Sequence, residues 1–154
     1  MFPLAARRRA AMCLMHMAGT PKTMQTDPHY TDVVAEVRAF LAGRIDAAVA
    51  AGIDCGRIVI DPGIGFGKRT EHNLALLASV GILASLGRPV LVGPSRKRFL
   101  GELTGETSPS ARLSGTLAAC LAARAAGAGV FRVHDVAAVR QGLAVFDAVR
   151  TARK

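Results

Sequence analysis

At 154 residues, 51% of them hydrophobic and 20% charged, the chain suits one domain that buries about two-thirds of its unfolded surface rather than a disordered segment. No apolar run approaches the roughly 20 residues needed to cross a bilayer, and the opening Met1–Arg9 places its arginines after a short apolar stretch, the reverse of a secretory signal. A soluble, cytoplasmic protein with no membrane partner is expected. Cys13, Cys55 and Cys120 are widely spaced and form no C-x-x-C pair, which argues against a disulfide framework or zinc ribbon and for buried free thiols. The formal charge of +9 suits nucleic acid, an anionic membrane or a small anionic substrate, and alone does not choose among them.

Taken in order, short apolar runs alternate with long amphipathic stretches, a βα rhythm. Met12-Cys13-Leu14-Met15 reads as a strand; after a Gly/Thr/Pro loop, a helix begins near Pro28 or Thr31 and ends by Gly52, with Asp27 before Pro28 suiting its cap. Ile58-Val59-Ile60 is a second strand. A glycine loop leads from it to a helix capped by Thr70, with Leu74, Leu77 and Ala78 on one face. Val90-Leu91-Val92 is the third strand, followed by a basic loop and a helix from Ser108-Pro109 to Gly127. Val130-Phe131-Arg132-Val133 is the fourth, with Val136 to Val149 as its helix. Such units build either an open doubly wound sheet or part of a (β/α)8 barrel; the full barrel takes about 250 residues, more than this chain has.

The polar residues that need explaining fall at the C-terminal ends of these strands, the edge where parallel α/β folds bind ligands. Asp61 follows the second strand and precedes Pro62-Gly63-Ile64-Gly65-Phe66-Gly67-Lys68. A carboxylate there either accepts from ring N–H groups, with glycines letting backbone approach a flat ligand, or simply caps its own loop. The spacing fits neither a Walker loop nor a G-x-G-x-x-G fingerprint. Gly93-Pro94-Ser95-Arg96-Lys97-Arg98 gathers three cations and a hydroxyl at the same edge, as a carbonyl or carboxylate clamp or a solvated basic turn. On the fourth strand Arg132 and His134 share one side by parity, opposite Phe131 and Val133. They suit a diphosphate anion at the mouth; the competing account pairs Arg132 with Asp135. His16 reads as a packing histidine, and His29 and His72 show no metal-binding spacing.

Together, Leu14-Met15-His16-Met17-Ala18-Gly19-Thr20-Pro21-Lys22-Thr23-Met24-Gln25, Asp61-Pro62-Gly63-Ile64-Gly65-Phe66-Gly67-Lys68, Gly93-Pro94-Ser95-Arg96-Lys97, Arg112-Leu113-Ser114-Gly115 and Arg132-Val133-His134-Asp135-Val136 resemble the dihydropteroate synthases in order and spacing. The resemblance runs from about Met12 to the end. It implies an α/β fold of four βα units forming the C-terminal half of a (β/α)8 TIM barrel, with residues 1–11 a non-family segment and 12–154 the partial pterin-binding domain. It implies condensation of 6-hydroxymethyl-7,8-dihydropterin diphosphate with para-aminobenzoate, releasing pyrophosphate, in folate biosynthesis. In these terms Asp61 and Lys97 hold the pterin, Met15 and Gly65 line its slot, Phe66 and Ser95 border the aminobenzoate, and Arg132 and His134 bind the diphosphate. Lys97, Arg132 and His134 are then the catalytic residues.

Family members carry four further βα units, including a Mg2+-linked Asn and an Asp and Asn that hold the pterin; only eleven residues precede Met12 here. The expectation is therefore a shortened or wrongly started reading frame. Its strand edges and helix surfaces would be covered by a homodimer partner or a separately supplied N-terminal half. The alternatives are an inactive fragment that binds pterin or sulfonamide weakly, a corrinoid methyltransferase of the same fold, and a basic nucleic-acid module, which the 5% aromatic content and the lack of a recognition-helix pattern disfavour.

Overall fold

The computed structural model describes residues 1–152. A short helix α1 (Phe2–Arg8) precedes β1 (Met12–Met15), α2 (Val33–Ala50), β2 (Ile58–Asp61), α3 (Thr70–Ala78), α4 (Val80–Ala84), β3 (Leu91–Val92), α5 (Arg98–Thr104), α6 (Leu113–Ala125), β4 (Val130–Phe131) and α7 (Val136–Thr151). β1 pairs with β2 in parallel from Met12–Ile58 to Met15–Asp61, and β3 with β4 from Leu91–Val130 to Val92–Phe131. A parallel bridge between Ile60 and Val90 joins the two pairs, giving the spatial order 1-2-3-4. Since every pairing is parallel, all four C-terminal strand ends meet on one edge.

Helix α2 starts later than the Asp27-Pro28 reading placed it. Asp32 caps it, accepting from the Val34 and Ala35 N–H groups at 3.0 Å each, while Glu36 reaches back to the Thr31 and Asp32 N–H groups. This two-way exchange satisfies first-turn donors that Asp27 would leave open. Asp27 instead pairs with Arg69 across the surface at 2.7 Å. In α3 the buried stripe is Asn73, Leu76 and Leu77, continued by Val80, whereas Leu74 is 42% exposed and Ala78 also faces outward. The spacing 73, 76, 77, 80 is a helical stripe containing one polar member, so a purely apolar search rotates the helix to the wrong face. The segment expected as one helix from Ser108 to Gly127 opens instead with a 3-10 turn, Pro109–Ala111, and α6 follows only at Leu113.

The core lies between the strands and α2 to α6: Val37, Leu41, Ile58, Ile60, Leu76, Leu83, Val90 and Val92 are at most 1% exposed. Helix α1 adds Ala5 to this core, and Arg44 of α2 lies over the Phe2 ring at 4.7 Å. Of the three cysteines only Cys120 is buried, its thiol pushed up to about 11 by desolvation; Cys13 and Cys55 are exposed, contrary to the expectation that all three pack inside. No described helix is long and apolar enough to cross a membrane.

Ile60, fully buried at the bridge that joins the strand pairs, should lose about 3 kcal/mol of stability on substitution by Ala, and Leu74→Ala less than about 1 kcal/mol. Urea unfolding followed by circular dichroism measures both; equal losses would place Leu74 in the core.

Candidate functional site

Each strand delivers its chemistry within a few residues of its end. Met15 closes β1 beside Asp61 in register, and the His16 N–H donates to the Asp61 carbonyl at 3.0 Å. Asp61 is 3% exposed. Its carboxylate accepts from the Gly63 N–H at 2.7 Å, so the loop-cap reading of this residue holds. Among the described residues no side chain donates to it within hydrogen-bonding distance, which leaves its second oxygen available to a ligand. Burial pushes the carboxyl above the usual range, opposed by the Gly63 N–H and by the charges of Arg132, Lys68 and Lys97.

The glycine loop needs its glycines. Gly63, at φ +70°, would place a Cβ 1.9 Å from the His16 carbonyl oxygen; Gly65, at φ +76°, would place one 2.9 Å from the Lys97 side chain. That close approach lays the Lys97 stem against Gly65 and puts its ammonium 3.8 Å from the centre of the Phe66 ring. Burial, then the Arg132 charge, draws the Lys97 ammonium below its ordinary range, while Asp61 pulls the other way. Asn73, the polar member of the α3 stripe, accepts from the Gly65 N–H at 2.7 Å and donates to the Arg69 carbonyl.

Ser95 is buried and bridges to the fourth strand: its hydroxyl accepts from the His134 N–H at 3.2 Å and lies 2.9 Å from His134 Nδ1. With the hydroxyl hydrogen on Nδ1, the imidazole carries its own proton on Nε2, leaving an N–H donor for an anion. Arg132 is exposed, and its guanidinium lies so close to Gly93 that a Cβ there would meet it at 2.8 Å. Phe131 and Val133 are half-buried while Arg132 and His134 are exposed, the alternation read from the sequence. An open cleft of about 620 Å³ is walled by Gly93, Ser95, Arg96, Lys97, Pro109, Arg132, Val133 and His134. Met15 and Asp61 are not among its walls.

The competing account of an Arg132–Asp135 pair is corrected: the partner of Asp135 is Arg96, which forks onto both carboxylate oxygens at 2.9 and 3.2 Å. Arg96 has a left-handed backbone, φ +59°, which a non-glycine residue adopts only at a cost. Surrounding groups hold it there: Thr116 Oγ1 accepts its N–H at 3.1 Å and Arg112 donates to its carbonyl at 3.1 Å. Arg112 also donates to the carbonyls of Lys97, Glu106 and Thr107, tying the basic loop to the loop before α6. Sequence reasoning gave Arg112, Arg96 and Asn73 no role. Their partners are backbone atoms and loop carboxylates, which no spacing rule exposes.

His16 is buried, in keeping with its reading as a packing histidine: its ring packs edge-on to Phe40 with centroids 4.9 Å apart, and Lys68 Nζ lies 3.0 Å from its Nδ1. Burial and the Lys68 charge lower the histidine to about 4, so it is neutral at pH 7 and accepts from the ammonium. Burial draws Lys68 itself down to about 8.

The family described as "Pterin binding enzyme" matches residues 1–134, and the chain belongs to that family. Within it, the chain is 48% identical to the dihydropteroate synthase of Neisseria meningitidis serogroup C over 147 residues, covering 95% of this chain and 52% of that protein. In structure it is similar to the Xanthomonas albilineans dihydropteroate synthase with 4-aminobenzoic acid, at TM-score 0.90 and 51% identity over 97% of this chain and 52% of that one. The Yersinia pestis dihydropteroate synthase with a sulfonamide drug complex is also similar, at TM-score 0.94 and 39% identity over 98% of this chain and 55% of that one. The chain thus spans about half the length of the relatives it matches.

Between pH 6.5 and about 4 the unfolded chain protonates His16 and the folded chain does not, so this group's contribution to stability is complete above 6.5 and falls away as pH drops through that window. The displacement amounts to roughly 3 kcal/mol. Asp61, with its raised carboxyl, acts in the opposite sense, so the measurement is a difference: urea unfolding of wild type should weaken more steeply from pH 6.5 to 4 than that of His16→Phe. Parallel curves would exclude His16 as the acid-sensitive group. Separately, Arg112→Met frees four carbonyls and should cost about 2 kcal/mol, with faster amide exchange in the loops at 96–98 and 106–108.

Proposed function

We propose that this chain supplies the strand-end residues of a dihydropteroate synthase-type transferase, its four βα units being the C-terminal half of a (β/α)8 barrel. The observation that carries the reading is the division among the cations of the cleft. Arg96 is neutralised by Asp135, whereas Lys97 and Arg132 make no salt bridge among the described residues and face the same opening as His134. Unpaired cations beside a buried carboxylate suit a ligand with a donor-rich ring and an anionic tail.

In this reading Asp61 and Lys97 hold the pterin, with Met15 and Gly65 lining its slot, and Phe66 and Ser95 border the para-aminobenzoate. The aniline nitrogen attacks the pterin methylene carbon; the C–N bond forms as the C–O bond to the diphosphate breaks, and the nitrogen releases a proton. Arg132 and the Nε2–H of His134 meet the negative charge that builds on the departing pyrophosphate, interactions that strengthen as the bond breaks and so lower the barrier. Sulfonamides, as aminobenzoate analogues, would occupy the Phe66 and Ser95 wall. The similarity to the Xanthomonas and Yersinia proteins supports both ligand classes.

Magnesium, which the resemblance implies, does not fit the residues present: among those described no group of three His, Cys, Asp or Glu side chains gathers, and the cleft is walled by cations. A homodimer partner or a complementary half would complete the enclosure around the pterin.

The test is dihydropteroate formation by the purified chain from pterin diphosphate and para-aminobenzoate, in magnesium-containing buffer, with Lys97→Ala and Arg132→Ala alongside. Each substitution should lower kcat/KM about 100-fold or more. Turnover unchanged in Lys97→Ala would show the assigned roles to be wrong. Pyrophosphate-dependent sulfonamide binding without turnover would assign the chain as a binding fragment.

A further inference from the structure

The loop after β2 is seated on the segment after β1 with almost no free space. A Cβ at Gly63 would fall 1.9 Å from the His16 carbonyl oxygen, and one at Gly67 would fall 3.0 Å from the Ala18 carbonyl oxygen. In this seam lies Lys68, 3% exposed, an ammonium that does not line the 620 Å³ cleft and, among the described residues, pairs with no carboxylate in a salt bridge. Its Nζ donates to the Phe66 carbonyl at 3.0 Å and sits 3.0 Å from His16 Nδ1. From the same side, the Tyr30 hydroxyl donates to the Gly67 carbonyl at 2.8 Å.

Burying an ammonium is expensive unless its hydrogens find acceptors, and the two acceptors here come from different strand ends. The Phe66 peptide needs such a tie. It lies between Gly65 and Gly67, both at positive φ, and glycine neighbours impose little resistance to rotation of that peptide. What Phe66 does when held is visible across the ring, where Lys97 places its ammonium 3.8 Å from the centroid.

We propose that Lys68 is a positioning residue: by joining His16 on the first strand end to the Phe66 carbonyl, it fixes the Phe66 ring and through that ring the Lys97 ammonium. The proposal rests on the site reading above and deepens it, because Phe66 would be the aromatic wall for the aminobenzoate. Lysine fits the seam through its compact head with three donors on a long apolar stem, which reaches two acceptors set at different angles. A second ionised side chain is not required, since His16 is neutral at pH 7.

The experiment is 19F NMR of the full chain labelled with fluorophenylalanine, the Phe66 resonance being assigned through Phe66→Leu. Lys68→Met removes both contacts, and His16→Leu removes only the one to the first strand end without adding a labelled ring. Both should shift or exchange-broaden the Phe66 resonance while leaving Phe99, in the core, in place, and the double variant should add little to Lys68→Met, as expected of groups in one linkage. An unmoved Phe66 resonance in either folded single variant overturns the proposal. Should Lys68→Met not fold, His16→Leu carries the test, since it leaves the lysine in the chain. The readout needs no substrate, so it stands whether or not the chain turns over. If turnover is found, Lys68→Met should raise KM for para-aminobenzoate about tenfold with KM for the pterin diphosphate within about twofold, a split that a general loss of stability does not produce.

Discussion

A carboxylate held out of water at the end of β2 sets the terms for everything around it. Asp61 is buried deeply enough that desolvation raises its carboxyl in spite of three neighbouring cations and a backbone N–H. Its charged form is favoured by one backbone amide and by the positive groups around it. They arrive from the loops after β2, β3 and β4, in Lys68, Lys97 and Arg132. The parallel strand order makes this possible, since it brings loops distant in sequence to one edge. Each cation in turn has to be kept from the others, and much of the remaining detail answers that need.

The basic residues divide by what their donors meet. Arg96 and Arg112 are spent on the protein: one forks onto Asp135, the other onto carbonyls of two loops, and together they hold a left-handed residue that would otherwise relax. Lys97 and Arg132, one residue along from a tethered position or one strand across, make no salt bridge among the described residues. A loop with Ser95, Arg96 and Lys97 in sequence thus performs different tasks at adjacent positions: an inward hydroxyl that orients His134, a guanidinium that locks the backbone, and an ammonium directed to the ring of Phe66. Strain at Arg96 is what turns the chain between the first and third of these.

The strands, their order along the chain and the polar residues at their ends were legible because each rests on a local signal. Alternation predicted that Arg132 and His134 share a side, and exposure bears this out. What the sequence hid were contacts whose partner is not local. Asp135 reads equally well as a partner for Arg132, three residues before it, or for any cation the fold brings near; only the tertiary arrangement selects Arg96. Asn73 looks like a break in an apolar stripe until Gly65, eight residues earlier, is seen to need an acceptor. His16 appears solitary because its partner Lys68 lies 52 residues away across the β1–β2 pair.

Helix α2 shows the same limit in a milder form. Asp27-Pro28 and Asp32 both satisfy the local rule for a helix start, and the choice between them turns on Glu36 reaching back to the amides of Thr31 and Asp32 and on Arg69 claiming Asp27. The later start leaves residues 16–32 as a long connection after β1. Along it Tyr30 and Gln25 reach the glycine loop, the first donating to the Gly67 carbonyl and the second accepting the Lys68 N–H at 3.2 Å. A helix that began at Pro28 would draw Tyr30 into its first turn and remove one of these supports. The position of a helix cap therefore bears on how firmly the Phe66–Gly67 segment is held, through one hydroxyl on the Gly67 carbonyl, and the geometry of the glycine loop depends on a choice made at the far end of a connection.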